Sequence, residues 1–212
     1  MNWVQNNGAT IWQALSSHLL LALPPVLLSF LLSLPLGWLA YRHPRWRSLL
    51  VTGSSLIYAI PSLPLLIVLP ALIGTSVRSS VNVVVALTLY GIALMVRSTA
   101  DALSGVNHDT IISATALGYS TAKRFFRVEL PLAGPGLLAG IRVVAVSTMA
   151  LVTASAVLGI PSLGTLFTDG FQRGIMGEIV TGIIGTALLA VAVDRLLVLL
   201  GRLALPWTRS RA

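Results

Sequence analysis

From Leu19 to Tyr41 the chain runs without a single Asp, Glu, Lys or Arg, and four further stretches nearly repeat that feat. A helix needs about 20 apolar residues to cross a bilayer core of roughly 30 Å. Five segments meet that length: Leu19–Tyr41, Leu49–Ile73, Val81–Val96, Leu132–Ile160 and Ile179–Leu200. Soluble domains are about 25% charged, enough to cover their surface. This chain of 212 residues is 9% charged and 56% hydrophobic, with a mean hydropathy of +0.90. Lipid is therefore the solvent for most of its surface. The fold class is all-α: a polytopic membrane protein of about five transmembrane helices.

The same composition excludes several chemistries. With no cysteine there are no disulfides, no thiolate catalysis and no cysteine-held zinc. His18, His43 and His108 lack the spacing of a ligand set, so no metal site is expected. A net charge of +8 would suggest nucleic acid in a soluble protein; here the cations set topology instead, and no nucleic-acid partner is expected. No basic region precedes the first apolar run, and no small-residue cleavage pattern follows it. That run is expected to stay in the membrane.

Lys and Arg sort the loops. Arg42, Arg45 and Arg47 follow the first span. Arg97, Lys123, Arg124 and Arg127 surround the third loop, with Arg142 just beyond, and Arg195, Arg202, Arg209 and Arg211 lie towards the C-terminus. The opposite side carries only Arg78 and Arg173. The positive-inside rule puts the N-terminus outside and the C-terminus in the cytoplasm, as an odd number of spans requires. Residues 1–18, with Trp3 and Trp12, read as an interfacial lead-in, and residues 19–212 as a single membrane domain. Arg142 is read as marking the cytoplasmic boundary of the fourth span, with a gate or an ion pair to Glu129 or Asp194 as the alternative.

Pro24, Pro25, Pro35, Pro61, Pro64 and Pro70 lie within the first two spans. Each removes a helical hydrogen bond whose freed carbonyl needs another partner in lipid, so kinked helices packed against neighbours are expected. No acid lies near a span centre, as a proton-driven carrier would need. No GxxxxGK[ST] occurs, so the chain does not cradle ATP in a P-loop.

The third loop, about residues 97–131, holds more order than a tether needs. Asp109 to Leu117 favours a helix that Gly118 can end in left-handed geometry. Ser120 or Thr121 can cap a second helix, expected to run to Leu130 until Pro131 disrupts it. Its Lys123, Arg124 and Arg127 would face cytoplasm and headgroups, with Phe125, Phe126 and Val128 inward.

This stretch resembles the permease subunits of binding-protein-dependent ABC importers, whose cytoplasmic signature is Glu-Ala-Ala, three residues, Gly, nine residues, then Ile-x-Leu-Pro. Here Ile112, Ser113 and Ala114 occupy the Glu-Ala-Ala positions, Gly118 the glycine, and Val128, Glu129, Leu130 and Pro131 the end. The resemblance implies a type I importer fold and a coupling helix seated in a groove of a cytoplasmic ATPase. Ile112 replaces the family's glutamate, so an apolar contact is expected there. AIPSLPLL (59–66), LYGIALMVRST (89–99), LAGPGLLAGIRVVAVST (132–148) and VLGIPSLGTLFTDGFQRG (157–174) are similar to permeases for glycine betaine, choline and related osmoprotectants; the last departs from that family's glycine-rich run.

The resemblance further implies a bacterial cytoplasmic membrane, no catalysis and no cofactor on this chain, ATP and Mg on the partner ATPase, an extracytoplasmic substrate-binding protein, and a second permease copy or paralogue. Candidate pathway residues are Tyr58, Pro61, Ser62, Tyr90, Thr148, Thr153 and Ser155, where broken helices and small hydroxyls offer polarity without charge; helix–helix packing is the competing role. Methionine-type permeases share the size, span count and loop motif. A secondary carrier and a non-transport membrane scaffold are the alternatives from other classes.

Overall fold

The computed structural model describes residues 2–211, with side chains from Trp3 to Thr208, so Arg209 and Arg211 lie outside the described side chains. Every regular element is helical. A short α1 (Asn2–Asn6) leads into α2 (Gly8–Arg42), followed by α3 (Pro44–Ala59), α4 (Ser62–Ile73) and α5 (Ser80–Ser104). On the cytoplasmic side come α6 (His108–Ala116) and α7 (Thr121–Arg124), then a π-helical turn at Phe125–Glu129 that runs directly into α8 (Leu130–Val152). A 3-10 segment (Thr153–Leu158), α9 (Leu163–Arg173), α10 (Met176–Ala204) and a terminal 3-10 segment (Pro206–Arg211) complete the chain. Among the described residues, four stretches are long and apolar enough to cross a membrane, and α3–α4 makes a fifth if its two bent halves count as one span.

Three sequence expectations need correction. The helix that carries the first span begins at Gly8, not near Leu19, so Trp12 is part of its opening turns. The second span is divided at Ile60-Pro61, where α3 and α4 meet at 103°. Proline disfavours helical geometry in the residue before it, and Ile60 is extended, at φ −68° and ψ 127°. Its carbonyl finds the partner that lipid cannot supply: the Tyr90 hydroxyl donates to it. Pro24, Pro25 and Pro35, by contrast, lie within an unbroken α2.

The third correction concerns Pro131, which does not bend the chain away from the coupling loop. In the π turn the Leu130 N–H donates to the Phe125 carbonyl, five residues back. Proline's ring clashes with the carbonyl four residues back in a regular helix. The widened turn just ahead of it lets the helix pass through without a break.

Lipid gives helices no hydrophobic reason to associate, so close backbone approach at small residues does that work. Helices α2 and α5 run parallel along Ser29, Ser33 and Gly37. A Cβ on Gly37 would fall 2.5 Å from the Thr99 Cβ, and one on Gly91 2.5 Å from the Ser29 Cβ. Helix α8 runs antiparallel to α5, with Gly136 against Ala102 and Gly140 against Ser98. Helix α10 closes on α8 where Gly201 meets Leu138.

Arg142 holds that last pair together. Its Nε and Nη2 donate to the two carboxylate oxygens of Asp194 at 2.6 and 2.9 Å. It is therefore a helix-to-helix ion pair rather than a mere boundary marker. A half-buried guanidinium facing lipid is costly unless so paired.

Two apolar clusters fill the interior. The extracytoplasmic one gathers Leu21, Leu66, Leu87, Met149, Leu163, Leu166 and Leu189. The cytoplasmic one joins Met95, Leu103, Leu137 and Val144 to Trp38, Tyr41, Ile111, Phe125 and Leu130, and so ties the third loop to the helix ends.

Candidate functional site

The third loop is a built corner. Asn107 caps α6 through its side chain, which accepts from the Asp109 N–H at 2.7 Å, and Asp109 adds a negative charge at the positive end of the helix. At the other end Gly118 N–H donates to Thr115 O at 3.0 Å and Tyr119 N–H to Ala114 O at 3.2 Å. That paired closure needs a left-handed residue between them, and Gly118 supplies it with φ +80°. Ser120 then caps α7, its hydroxyl accepting from the Lys123 N–H at 3.4 Å.

Of the Ile112-Ser113-Ala114 triplet, Ala114 is buried, while Ser113 is exposed and Ile112 is 54% exposed. Leu117, at the apex, is 78% exposed. Val128, Leu130 and Pro131 are half-buried at the entry to α8. A cleft of about 510 Å³ lies between α6 and the end of α2, lined by Tyr41, Arg42, His108, Ile111, Ile112 and Arg124 among others.

The basic residues do not all face outward. Lys123 and Arg127 are exposed, with the Lys123 ammonium 4.6 Å from the centre of the Tyr119 ring. Arg124 turns inward: its Nε donates to Glu129 Oε1 at 2.7 Å and its Nη1 to Thr115 Oγ1 at 2.8 Å. The two charged side chains are 11% and 2% exposed. Phe125 packs edge-on against Trp38 with ring centres 5.9 Å apart, but Phe126, expected to pack inward, is 66% exposed. Consecutive residues of a helix point about 100° apart, so with Phe125 turned inward its neighbour faces out. Sequence alone missed the Arg124–Glu129–Thr115 cluster. Its signal was Glu129, the lone acid between Asp109 and Asp169, set in an apolar run where a carboxylate requires a partner.

The pathway candidates separate into two groups. Tyr58, Pro61, Ser62 and Tyr90 come together at the α3–α4 break, where the Tyr58 and Tyr90 rings meet edge-on at 5.9 Å. Tyr90 is buried, while Tyr58 is 47% exposed. Thr148, Thr153 and Ser155 lie elsewhere, at the extracytoplasmic end of α8. Thr148 and Ser155 are buried. Thr153 donates to the Ala150 carbonyl at 2.6 Å and Ser155 to that of Val152 at 2.7 Å, so both hydroxyls are occupied by their own backbone.

His18 was also missed. It is fully buried, with Nε2 3.0 Å from the Met149 carbonyl and Nδ1 accepting from the Leu163 N–H at 3.3 Å. The proton is therefore on Nε2 and the ring is neutral. Met149 is freed because Thr153 N–H turns to nearer carbonyls in the 3-10 segment, and Leu163 is an unpaired first-turn donor of α9. One imidazole satisfies both orphans and joins α2, α8 and α9.

Comparison with known proteins follows the same outline. Residues 33–209 match the family described as "Binding-protein-dependent transport system inner membrane component". The choline transport system permease protein OpuBB of Bacillus subtilis is 27% identical over 206 residues, covering 97% of this chain and 94% of its own length. The osmoprotectant import permease protein OsmW of Salmonella typhimurium is 29% identical over 201 residues, 93% of each chain. Among solved structures, an inward-facing MetNI methionine ABC transporter superposes with a TM-score of 0.76 at 21% identity, over 94% of this chain and 96% of that one; at that identity the likeness is one of fold.

Proposed function

Because the chain belongs to the inner membrane components of binding-protein-dependent transport systems, we propose that it carries quaternary-ammonium osmoprotectants such as choline or glycine betaine inward, powered by a separate ATPase. It is a membrane-spanning permease, not an enzyme. In this reading, ATP and Mg belong to the cytoplasmic partner, an extracytoplasmic binding protein delivers the solute, and a second permease copy or a paralogue completes the route.

The observation that carries the reading is the open corner around Gly118. Ile112, Ser113 and Leu117 stand exposed on a helix that is capped at both ends, as a surface awaiting an apolar groove would be. Ala114, Val128, Leu130 and Pro131 hold that surface against the membrane helix. Support for the solute class comes from the relatives named for choline and osmoprotectants, aligned over more than nine-tenths of this chain. The route runs past the α3–α4 break, where the Tyr58 ring offers a cation a weak face and Ser62, just after Pro61, opens α4 with a first-turn backbone N–H that has no helical partner. Thr148, Thr153 and Ser155 would reach it only through movement at the end of α8. ATP binding and release must favour inward and outward states differently by a few kcal/mol.

The test is reconstitution in liposomes with the co-purified ATPase and binding protein. Labelled glycine betaine should enter only with ATP. Methionine uptake instead would keep the class and change the solute. Uptake driven by a proton or sodium gradient without ATP would contradict the reading.

A further inference from the structure

A motion received at the corner has to reach the membrane, and α6 meets α8 through the short α7–π segment. The Arg124–Glu129 pair sits across that π turn. In a regular helix, neighbours on one face are three or four residues apart. Residues five apart meet here because the turn hydrogen-bonds at that spacing, from Leu130 N–H to Phe125 O. The second arm of Arg124 reaches back over the glycine corner to Thr115 on α6. One guanidinium therefore grips both the corner and the first turn leading into α8, and it does so while nearly buried. Burying such a pair gives little net stability over an apolar replacement, whereas removing one partner strands the other. Its positional effect is thus larger than its contribution to the fold.

We infer that Arg124, clamped between Glu129 and Thr115, is the joint that carries displacement of the corner into α8; Arg124 and Glu129 are positioning residues for coupling. This rests on the reading that an ATPase engages the corner. The readout is the number of glycine betaine molecules imported per ATP hydrolysed, by the complete complex in proteoliposomes. Glu129→Gln and Arg124→Gln should lower that ratio about ten-fold while hydrolysis persists. Thr115→Val, at an exposed position that leaves the membrane core untouched, should lower it about three-fold. The exchanged double variant R124E/E129R should recover part of the loss.

An unchanged ratio in assembled Glu129→Gln and Thr115→Val complexes overturns the joint. So does loss of ATPase association in every variant, which would place the cluster in the dock itself. If Glu129→Gln fails to accumulate, Thr115→Val decides alone. A wild-type complex with no ATP-dependent uptake would instead overturn the functional reading beneath it, so the two failures are distinguishable.

Discussion

One kind of glycine closure recurs at Gly118, Gly159 and Gly174, and the first and last of these make comparable corners, one on each side of the membrane. At the extracytoplasmic end of α9, Gly174 N–H donates to Phe171 O and Ile175 N–H to Gly170 O, around a left-handed Gly174 at φ +68°. This repeats the closure around Gly118. Each corner also has an arginine and a buried glutamate five residues apart: Arg124 with Glu129, and Arg173 with Glu178.

What surrounds the two corners differs. The outer one folds α9 back onto α10, with Gly170 against Ile179 and Gly182 against the Phe167 ring. The inner one has no such second layer, and its helix is attached through Ala114, Ile111 and the Arg124 clasp. An identical backbone device therefore serves as a sealed hairpin outside and as a handle inside. Packing, not the turn, decides which.

That contrast can be broken most forcefully at Gly170. A Cβ there would lie 2.8 Å from Ile179 Cγ1 and 3.0 Å from the Ile179 backbone nitrogen, and backbone cannot step aside as a side-chain tip can. Gly170→Leu should destabilise the outer hairpin by about 3 kcal/mol, seen as a lowered melting temperature of the purified complex. An unchanged melting temperature would mean the hairpin is not sealed by this contact.

A smaller and sharper comparison uses the two left-handed glycines. Neither Gly118 nor Gly174 has a neighbour within 4 Å of a would-be Cβ, so alanine at either costs only the backbone strain of about 1–2 kcal/mol. The strain is equal but the readout should not be. Gly174→Ala is expected to lower thermal stability, while Gly118→Ala is expected to lower ATP-dependent uptake with little change in melting. Identical effects on both readouts would erase the distinction between seal and handle.

Much of this was legible in the sequence because its signals are local. Apolar runs mark the spans, and Gly118 followed by Ser120 announces a helix stop and restart. The rest is non-local. Sequence narrows the partner of Arg142 to Glu129 or Asp194 without choosing between them, and nothing near His18 points to Met149 and Leu163. Proline has two outcomes here that its presence in the sequence does not distinguish: the span breaks at Pro61, with the Tyr90 hydroxyl bonding the Ile60 carbonyl, whereas Pro131 is absorbed by a π turn. Small hydroxyls and broken helices point to pathway residues in the sequence, but the Thr153 and Ser155 hydroxyls hydrogen-bond their own backbone, which composition does not reveal.

The most direct measurement concerns Leu117, the exposed apex of the inner corner. The chain has no cysteine, so Leu117→Cys introduces a unique thiol. In membranes holding the whole complex, a short thiol-to-amine crosslinker should join that position to the ATPase, with a yield that changes between nucleotide-free and ATP-bound states. Leu117→Cys that leaves ATP-dependent uptake intact yet never crosslinks to the ATPase in any nucleotide state would contradict the assignment of this corner as the handle.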